Sequence, residues 1–399
     1  MKASSESSLS FARPTSVEEV TEIVAASAKS GAALLISGGG TRMHWANPGD
    51  PVAGGLCLQE LSGVSEFEPD EGVVKVLAGT TIAELQAIVA TEGWELPLDP
   101  PAASNSTVGG TIASAATGPR AQGFGRVADA LLGLDLVGAD GVSSKCGGRV
   151  VKNVTGYDMA KLYCGAFGTL GVITGAWLRL HPQPAELRTL EGELASSAEN
   201  FALCRRLAKQ SSVRAFVWEE ASEDEDSAKI VIEWGGSAEG VEHDQAEAKA
   251  ALGSALLGGG GRDGDSRAPV DQLRDARART ASETETVMRA RVLGTEVFEL
   301  ARAMRQAGLA ISVDVGLGAI AARGELAGPD AVRAFRRAAE EGAGNLLCES
   351  MPASWRNELD AFGASREATP LMATLKNRFD PASILNPGRF IMGGGSLER

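Results

Sequence analysis

Three consecutive glycines constrain this chain more than any other feature. They stand in Ser37-Gly38-Gly39-Gly40-Thr41-Arg42, directly after the apolar run Ala32–Ile36. An apolar run that breaks at once into glycine reads as a buried strand whose exit turn lets something approach the backbone. Glycine has no Cβ and tolerates positive φ, so successive N–H groups can converge on an anion. A diphosphate is the natural guest.

The flanking pattern sets the elements around that turn. Pro14 to Ser30 reads as a helix, with Ser16 and Glu19 as a capping box, Val17, Val20 and Val24 on one face, and Gly31 as the stop. Val73–Leu77 reads as a strand, and Thr81 with Glu84 opens a second capped helix that Gly93 ends. Alternating strands and helices place the start of the chain in an α/β or α+β unit. Residues 97–125 are rich in small side chains, and Thr107 can cap a short helix of tiny residues. Ala130–Gly141 is β-rich and ends in a hairpin turn at Ala139-Asp140-Gly141. A strand over Ala176–Leu180 closes the region at His181-Pro182. From 186 to 370 the motifs stop, charge rises, and amphipathic helices dominate, as around Ala331–Glu341. The acidic run Glu219–Asp226 lies in this part, and Gly258–Asp265 reads as a flexible loop. No internal repeat stands out.

Composition excludes several classes. The 399 residues suffice for two domains, and 44% hydrophobic with 23% charged residues describe a folded globular protein. A formal net charge of −14 argues against a general nucleic-acid or anionic-membrane binder. The five cysteines form no CxxC pair, which argues against a disulfide scaffold or a cysteine-ligated iron–sulfur cluster. No run is apolar for long enough to span a bilayer, and Met1–Ser10 lacks an apolar signal core. The expectation is a cytoplasmic protein that meets the inner membrane face only through partners.

Two nucleotide motifs are absent. There is no GxxxxGK[ST], and the glycine turn is neither GxGxxG nor followed by a helix. Four segments instead act as a set: GGGTR at 38–42, TVGG at 107–110, GTLGVIT at 168–174 and NPGR at 386–389. Together they resemble the flavoproteins that share the FAD-binding fold of vanillyl-alcohol oxidase and p-cresol methylhydroxylase (PCMH). Gly118-Pro119-Arg120, Gly125-Arg126-Val127-Ala128-Asp129, Val151–Asp158 and Asn386–Arg389 narrow the resemblance to the FAD-binding E subunits of bacterial glycolate oxidase. It covers roughly 14–185 and 376–392; the middle of the chain matches only in position and size.

The resemblance implies an α+β, PCMH-type FAD-binding domain of two subdomains over 1–185, completed by 376–399, with a smaller sheet-and-helix cap over 186–375. It implies that Ser37, Gly38, Gly39, Gly40, Thr41 and Arg42 wrap the diphosphate, and that Thr107, Val108, Gly109 and Gly110 supply further N–H groups. Ala113, Ser114 and Gly118 would give a groove of small residues, Gly171, Val172 and Thr174 would pass the adenine side, and Asn386 and Arg389 would return toward the flavin. Thr41 stands where covalent members carry histidine, so the FAD would be non-covalent. His44 is a flavin attachment site or a turn histidine. Asp129 orients the loop, bonds the ribityl chain, or serves structure. Lys152, Tyr157 and Asp158 form the polar end of the flavin site or a turn with a salt bridge. Arg389 holds a substrate carboxylate, balances charge near flavin N1, or is a surface arginine. Lys152, Tyr157 and Arg389 are the catalytic candidates, and no metal site is expected.

Related 2-hydroxy-acid dehydrogenases carry a histidine-rich motif in their second domain. This chain has three histidines in all: His44, His181 and His243. The resemblance therefore implies an FAD-binding subunit of a complex that oxidises glycolate, a small 2-hydroxy acid, to glyoxylate. A homologous catalytic FAD-binding subunit and an iron–sulfur subunit would be its partners. A stand-alone FAD oxidoreductase for D-2-hydroxy acids such as D-lactate, or for alditols, is the first alternative. A non-catalytic scaffold stabilised by FAD is the second.

Overall fold

The computed structural model describes residues 9–149, 157–221, 227–253, 255–257, 262–264, 266–356, 358–363 and 368–390. Lys152, the rest of the Val151–Gly156 segment and the glycines at 258–261 lie outside them.

The local signals at the start of the chain fold as their chemistry dictates. The helix Val17–Ser30 begins where the Ser16 hydroxyl accepts from the Glu19 N–H and ends at Gly31, φ 69°. The strand Leu34–Ser37 follows and pairs in parallel with Gly54–Cys57, which also pairs with Phe11–Ala12. Val20, Val24, Leu34, Leu56 and Leu61 close one small core, joined by Ile384 and Leu385 from the far end of the chain.

A five-stranded antiparallel sheet forms the second layer. Its order is Val64–Glu68, Val73–Leu77, Val172–Arg179, Leu131–Val137 and Ser143–Gly147. The helices Ile82–Ala90 and Val108–Ser114 pack on it through Leu85, Val89, Val108 and Ile112. The Ala139-Asp140-Gly141 turn does join two hairpin strands, with Gly141 at φ 76°.

Residues 186–350 depart from the sequence reading. An eight-stranded antiparallel sheet, not helix, dominates them. It consists of two halves with one connectivity: strand, helix, strand, strand, helix, strand. The first runs Glu186–Ala195, Ala198–Leu207, Val213–Glu220, Ser227–Gly236, Ala238–Leu252 and Arg262–Gly264. The second runs Glu285–Arg291, Val297–Gln306, Ala310–Asp314, Ala319–Glu325, Pro329–Glu341 and Asn345–Ser350. Each half has the spatial strand order 4-1-3-2, and the two join edge to edge at Val213–Glu220 and Ala310–Asp314. This is the internal repeat that no sequence pattern revealed. The expected loop at 258–265 includes a paired edge strand, Arg262–Gly264 against Thr189–Glu191.

Alternation decides what each face does. Phe216, Trp218, Ile230, Ile232, Met288 and Ile320 point to the four helices and build the largest core. Arg289, Arg323, Glu233 and Glu349 take the other face, toward the N-terminal sheets. The helix Ala268–Ala276 covers part of that face through Val270 and Leu273.

A buried charge network joins the two parts. The Arg120 guanidinium donates to Glu233 at 2.7–3.0 Å, to Asp99 at 3.3 Å and to Asp271 at 2.6 Å. Arg214 and Arg267 close on the two oxygens of Glu95 at 2.6 and 2.8 Å. Burial pushes the Asp99 carboxyl upward, against the pull of Arg120 and Arg274.

Candidate FAD-binding site

The glycine turn faces the short helix across two adjoining open clefts of about 450 and 360 Å³. Gly38, Thr107, Gly110 and Ala113 line both. The turn packs tightly along its first half: a Cβ on Gly38 would stand 2.2 Å from Thr107 Oγ1, and one on Gly39 1.7 Å from the Asn105 carbonyl oxygen. Gly40 has φ +72° and open space beside it.

Backbone donors distinguish the two segments. Among the described residues, no acceptor takes the N–H of Gly38, Gly39, Gly40, Thr41 or Arg42. Five successive donors next to a cleft have the geometry to serve an anion. The short helix is different. Val108 N–H donates to Thr80 O and Gly109 N–H to Ala78 O, both at 2.8 Å, and Gly110 N–H to Thr107 Oγ1 at 3.2 Å. The expectation of free N–H groups for the diphosphate is therefore corrected for Val108, Gly109 and Gly110. These glycines let the helix approach the neighbouring strand end; a Cβ on Gly109 would lie 2.8 Å from Ala78 Cβ.

The electrostatics suit an anion. Neither cleft has an acidic lining residue, and Arg42 and Arg389 line the larger one. Arg42 donates to Ser106 Oγ at 3.0 Å and Thr111 Oγ1 at 3.2 Å, both neutral acceptors. Burial pulls its pKa down to about 10. Thr41 Oγ1 lies 3.2 Å from Ser106 Oγ. A diphosphate thus fits both the donor set and the charge of this cleft.

The remaining predicted residues divide. Ser37, Ala113, Ser114 and Gly171 line the clefts. Val172 and Thr174 are buried in their strand and line neither cleft. Gly118 packs on Asp99 and Arg274, where a Cβ would stand 2.4 Å from Asp99 O. The Asp129 carboxylate accepts from the Arg126 side chain and backbone, which holds it below the usual carboxylate range. Tyr157 is 94% exposed, and Asp158 pairs with Lys161 at 3.0 Å, the turn-and-salt-bridge reading.

Asn386 and Arg389 organise the turn instead of presenting free side chains. Asn386 Oδ1 accepts the Ile36 N–H at 2.7 Å while its Nδ2 donates to Phe167 O at 2.8 Å. Arg389 is 9% exposed, so the surface-arginine reading is corrected; it donates to the carbonyls of Met43 at 2.9 Å and Trp45 at 2.8 Å. Lys376 anchors the same segment through Thr169 O and Leu385 O.

Sequence reasoning missed the cluster that links the turn to the eight-stranded sheet. Trp45 is buried with Arg42 and Arg289 on its ring at 5.9 and 5.4 Å. Arg289 Nε donates to Glu349 Oε1 at 2.7 Å. Glu349 lines a 390 Å³ pocket with His44, Met43, Arg356 and Arg389, and also an 870 Å³ pocket with Arg277, Arg289 and Arg323. The available signal was alternation in Thr286–Arg291, where Met288 and Ala290 are buried and Arg289 and Arg291 face away.

With this geometry in hand, comparison defines the class. Residues 9–147 match the FAD binding domain family, so the chain carries an FAD binding domain of the PCMH type. The fold is shared with alkyldihydroxyacetonephosphate synthase, at a TM-score of 0.65 and 16% identity over 94% of this chain and 76% of that one. Among curated proteins, the chain is similar to glycolate oxidase subunit GlcE of Escherichia coli (strain K12), 34% identical over 149 residues, 37% of this chain and 43% of that protein. It is also similar to glycolate oxidase subunit GlcD of Bacillus subtilis (strain 168), at 30% identity over 44% of this chain and 38% of that one. Bovine mitochondrial D-2-hydroxyglutarate dehydrogenase is 33% identical over 43% of this chain and 32% of its own length. The matched part spans less than half the length of each of these relatives.

Proposed function

We propose that this chain is the FAD-binding subunit of a complex that oxidises a small 2-hydroxy acid, glycolate first among them, to the 2-oxo acid. Electrons leave through an iron–sulfur partner or another acceptor. The observation that carries the cofactor part is the row of N–H groups from Gly38 to Arg42, without acceptors among the described residues, beside a cleft with no acidic lining. The substrate and subunit parts draw on the names of the relatives, two of them glycolate oxidase subunits.

On this reading the turn 37–42 and Arg42 hold the diphosphate, Asn386 and Arg389 fix the turn, and Thr41 leaves the flavin unattached. Bound FAD supplies the hydride-accepting ring. The chain's part is to bind and orient the ring and to wall it from water with the cap. No helix among the described residues is long and apolar enough to cross a membrane.

A stand-alone enzyme is the second reading. It is favoured by the 870 Å³ pocket, whose lining sets Arg277, Arg289 and Arg323 and the carboxylates of Glu219, Glu220 and Glu349 around apolar residues such as Leu273 and Ile311. Anaerobic mixing with glycolate and D-lactate tests both. Bleaching of the 450 nm flavin band only when partner chains are present supports the subunit, and bleaching by the chain alone supports the second reading. Protein that cannot be loaded with FAD sinks both.

A further inference from the structure

We propose that His44 is the base that takes the substrate hydroxyl proton in this chain, with Glu349 as the carboxylate that stabilises the charged imidazole. The inference rests on the 2-hydroxy-acid reading above. It changes one part of it, because the chain then carries its own proton acceptor.

The geometry is a row of cavities. The larger FAD cleft shares Met43 and Arg389 with the 390 Å³ pocket, and that pocket shares Glu349 with the 870 Å³ one. His44 and Glu349 therefore sit in the small chamber between the cofactor cleft and the large cap pocket. His44 is half-buried there, on the turn that Arg389 fixes through the carbonyls of Met43 and Trp45. Glu349 is 4% exposed and is held from behind by Arg289. The other two histidines are elsewhere: His181 packs edge-on against Phe124, and His243 is exposed on the helix Ala238–Leu252.

The charged groups facing His44 come from every neighbouring element. They are Arg42 on its own turn, Arg389 from the C-terminal segment, Arg323 and Glu349 from the cap sheet, and Arg356 after that sheet. Burial is the largest influence and favours the neutral imidazole, Glu349 opposes it, and Arg323, Arg389 and Arg42 add to it. A neutral imidazole can accept a proton. Arg356 at the same pocket offers a guanidinium to the substrate carboxylate, and Arg389, tied to the Met43 and Trp45 carbonyls, adds to the positive field.

The step balances. His44 takes the hydroxyl proton, the carbinol C–H bond breaks, and the hydrogen leaves with its electron pair to the bound FAD. A C=O bond closes on the same carbon. The substrate loses two electrons and two hydrogens.

Two measurements on the full FAD-loaded chain test this. In a rapid-mixing experiment, with partner chains where reduction needs them, glycolate should reduce wild-type flavin at a rate that rises with pH and levels off. His44→Gln should lower that rate by about 100-fold or more and flatten the profile, since a placed base contributes about 10²–10⁴-fold. FAD content should stay at the wild-type level in His44→Gln, because His44 lines neither FAD cleft. A variant that keeps the wild-type rate within threefold and the wild-type profile overturns the proposal. The second measurement needs no turnover. With labelled histidine, oxalate should shift the His44 ring resonance and raise its pKa, leaving His243 unmoved. An unmoved His44 in oxalate-saturated protein overturns the proposal. Flavin that glycolate never reduces, while oxalate still titrates His44, fails the 2-hydroxy-acid oxidation reading and leaves the site as a proton-accepting carboxylate pocket.

Discussion

Arg120 and Glu233 form a bidentate pair across the boundary between the N-terminal sheets and the cap, with Nε and Nη2 donating at 2.7–3.0 Å and both side chains buried. Arg120 was legible only as part of a motif; its role is to join two parts that are 113 residues apart in sequence. Removing one partner leaves a buried charge without its mate, which costs about 3–5 kcal/mol. Arg120→Ala should therefore lower the denaturation midpoint strongly. Arg120→Lys should recover little, since an ammonium cannot reproduce the planar fork. Urea titration of the apo-protein reads both, and a wild-type midpoint for Arg120→Ala would overturn the account.

The fold was legible where its causes are local. Ser16, Thr81 and Thr107 each cap the helix that the sequence placed after them, and Gly141 turns the hairpin. The cap was not legible. Its inner strand faces carry Arg289, Arg323, Glu233 and Glu349, so their alternation looks like charged coil, while Pro329–Glu341 shows an unmistakable helical period. The two halves of the repeat share a path and a strand order, not a residue pattern. In the site, the glycine turn was visible because conformational demand selects glycine. The consumption of the Val108 and Gly109 donors was not, because Thr80 and Ala78 accept them from another element. Tyr157, a plausible polar group in sequence, turns out to face solvent.

Gly39 tests the turn. A methyl group there would collide with the Asn105 carbonyl, a backbone atom that cannot step aside without moving the Thr107 cap. Gly39→Ala should displace the turn and lower the flavin-to-protein ratio of purified protein several-fold. Gly40→Ala meets no atom within 4 Å but must hold φ +72°, an αL strain of about 1 kcal/mol. It should lose less flavin than Gly39→Ala. The ratio of 450 to 280 nm absorbance ranks the two, and the reverse ranking would refute the steric argument.

Asn386 links the strand Leu34–Ser37 to Phe167 from 350 residues away in sequence, through hydrogen bonds of 2.7 and 2.8 Å. Its own φ of 44° suits asparagine better than most side chains. Asn386→Ala removes both bonds and keeps the strain. A loss of about 1–3 kcal/mol in stability is expected, with weaker FAD binding, because the Ile36 N–H is left without its acceptor. Flavin fluorescence on titration with apo-protein measures the affinity. An unchanged dissociation constant would confine Asn386 to folding alone.

Thr41 gives a chemical test of the cofactor's attachment. A threonine hydroxyl offers no ring nitrogen to bond the flavin, and it lies 3.2 Å from the Ser106 hydroxyl. Acid precipitation of the yellow protein should leave all the flavin in the supernatant, as intact FAD by chromatography. Flavin retained in the pellet would point to a covalent bond elsewhere, and His44→Gln would show whether that residue forms it.

Glu285 sets part of the acid limit of the cap. Hydrogen bonds from Arg323 are the main cause that holds its carboxyl down at about 2, with help from the Ser282 N–H and Arg279. A folded-state pKa below the unfolded value stabilises the protein above the unfolded pKa, about 4.3 for a glutamate. That contribution fades as the pH falls from there toward 2. Wild-type protein should therefore be more stable than Glu285→Gln at pH 7, and the gap should narrow between pH 4.5 and 2.5. Urea midpoints for the two proteins across that range measure it. A gap that stays constant with pH would mean that the side chain acts by shape and neutral hydrogen bonding, not by its charge.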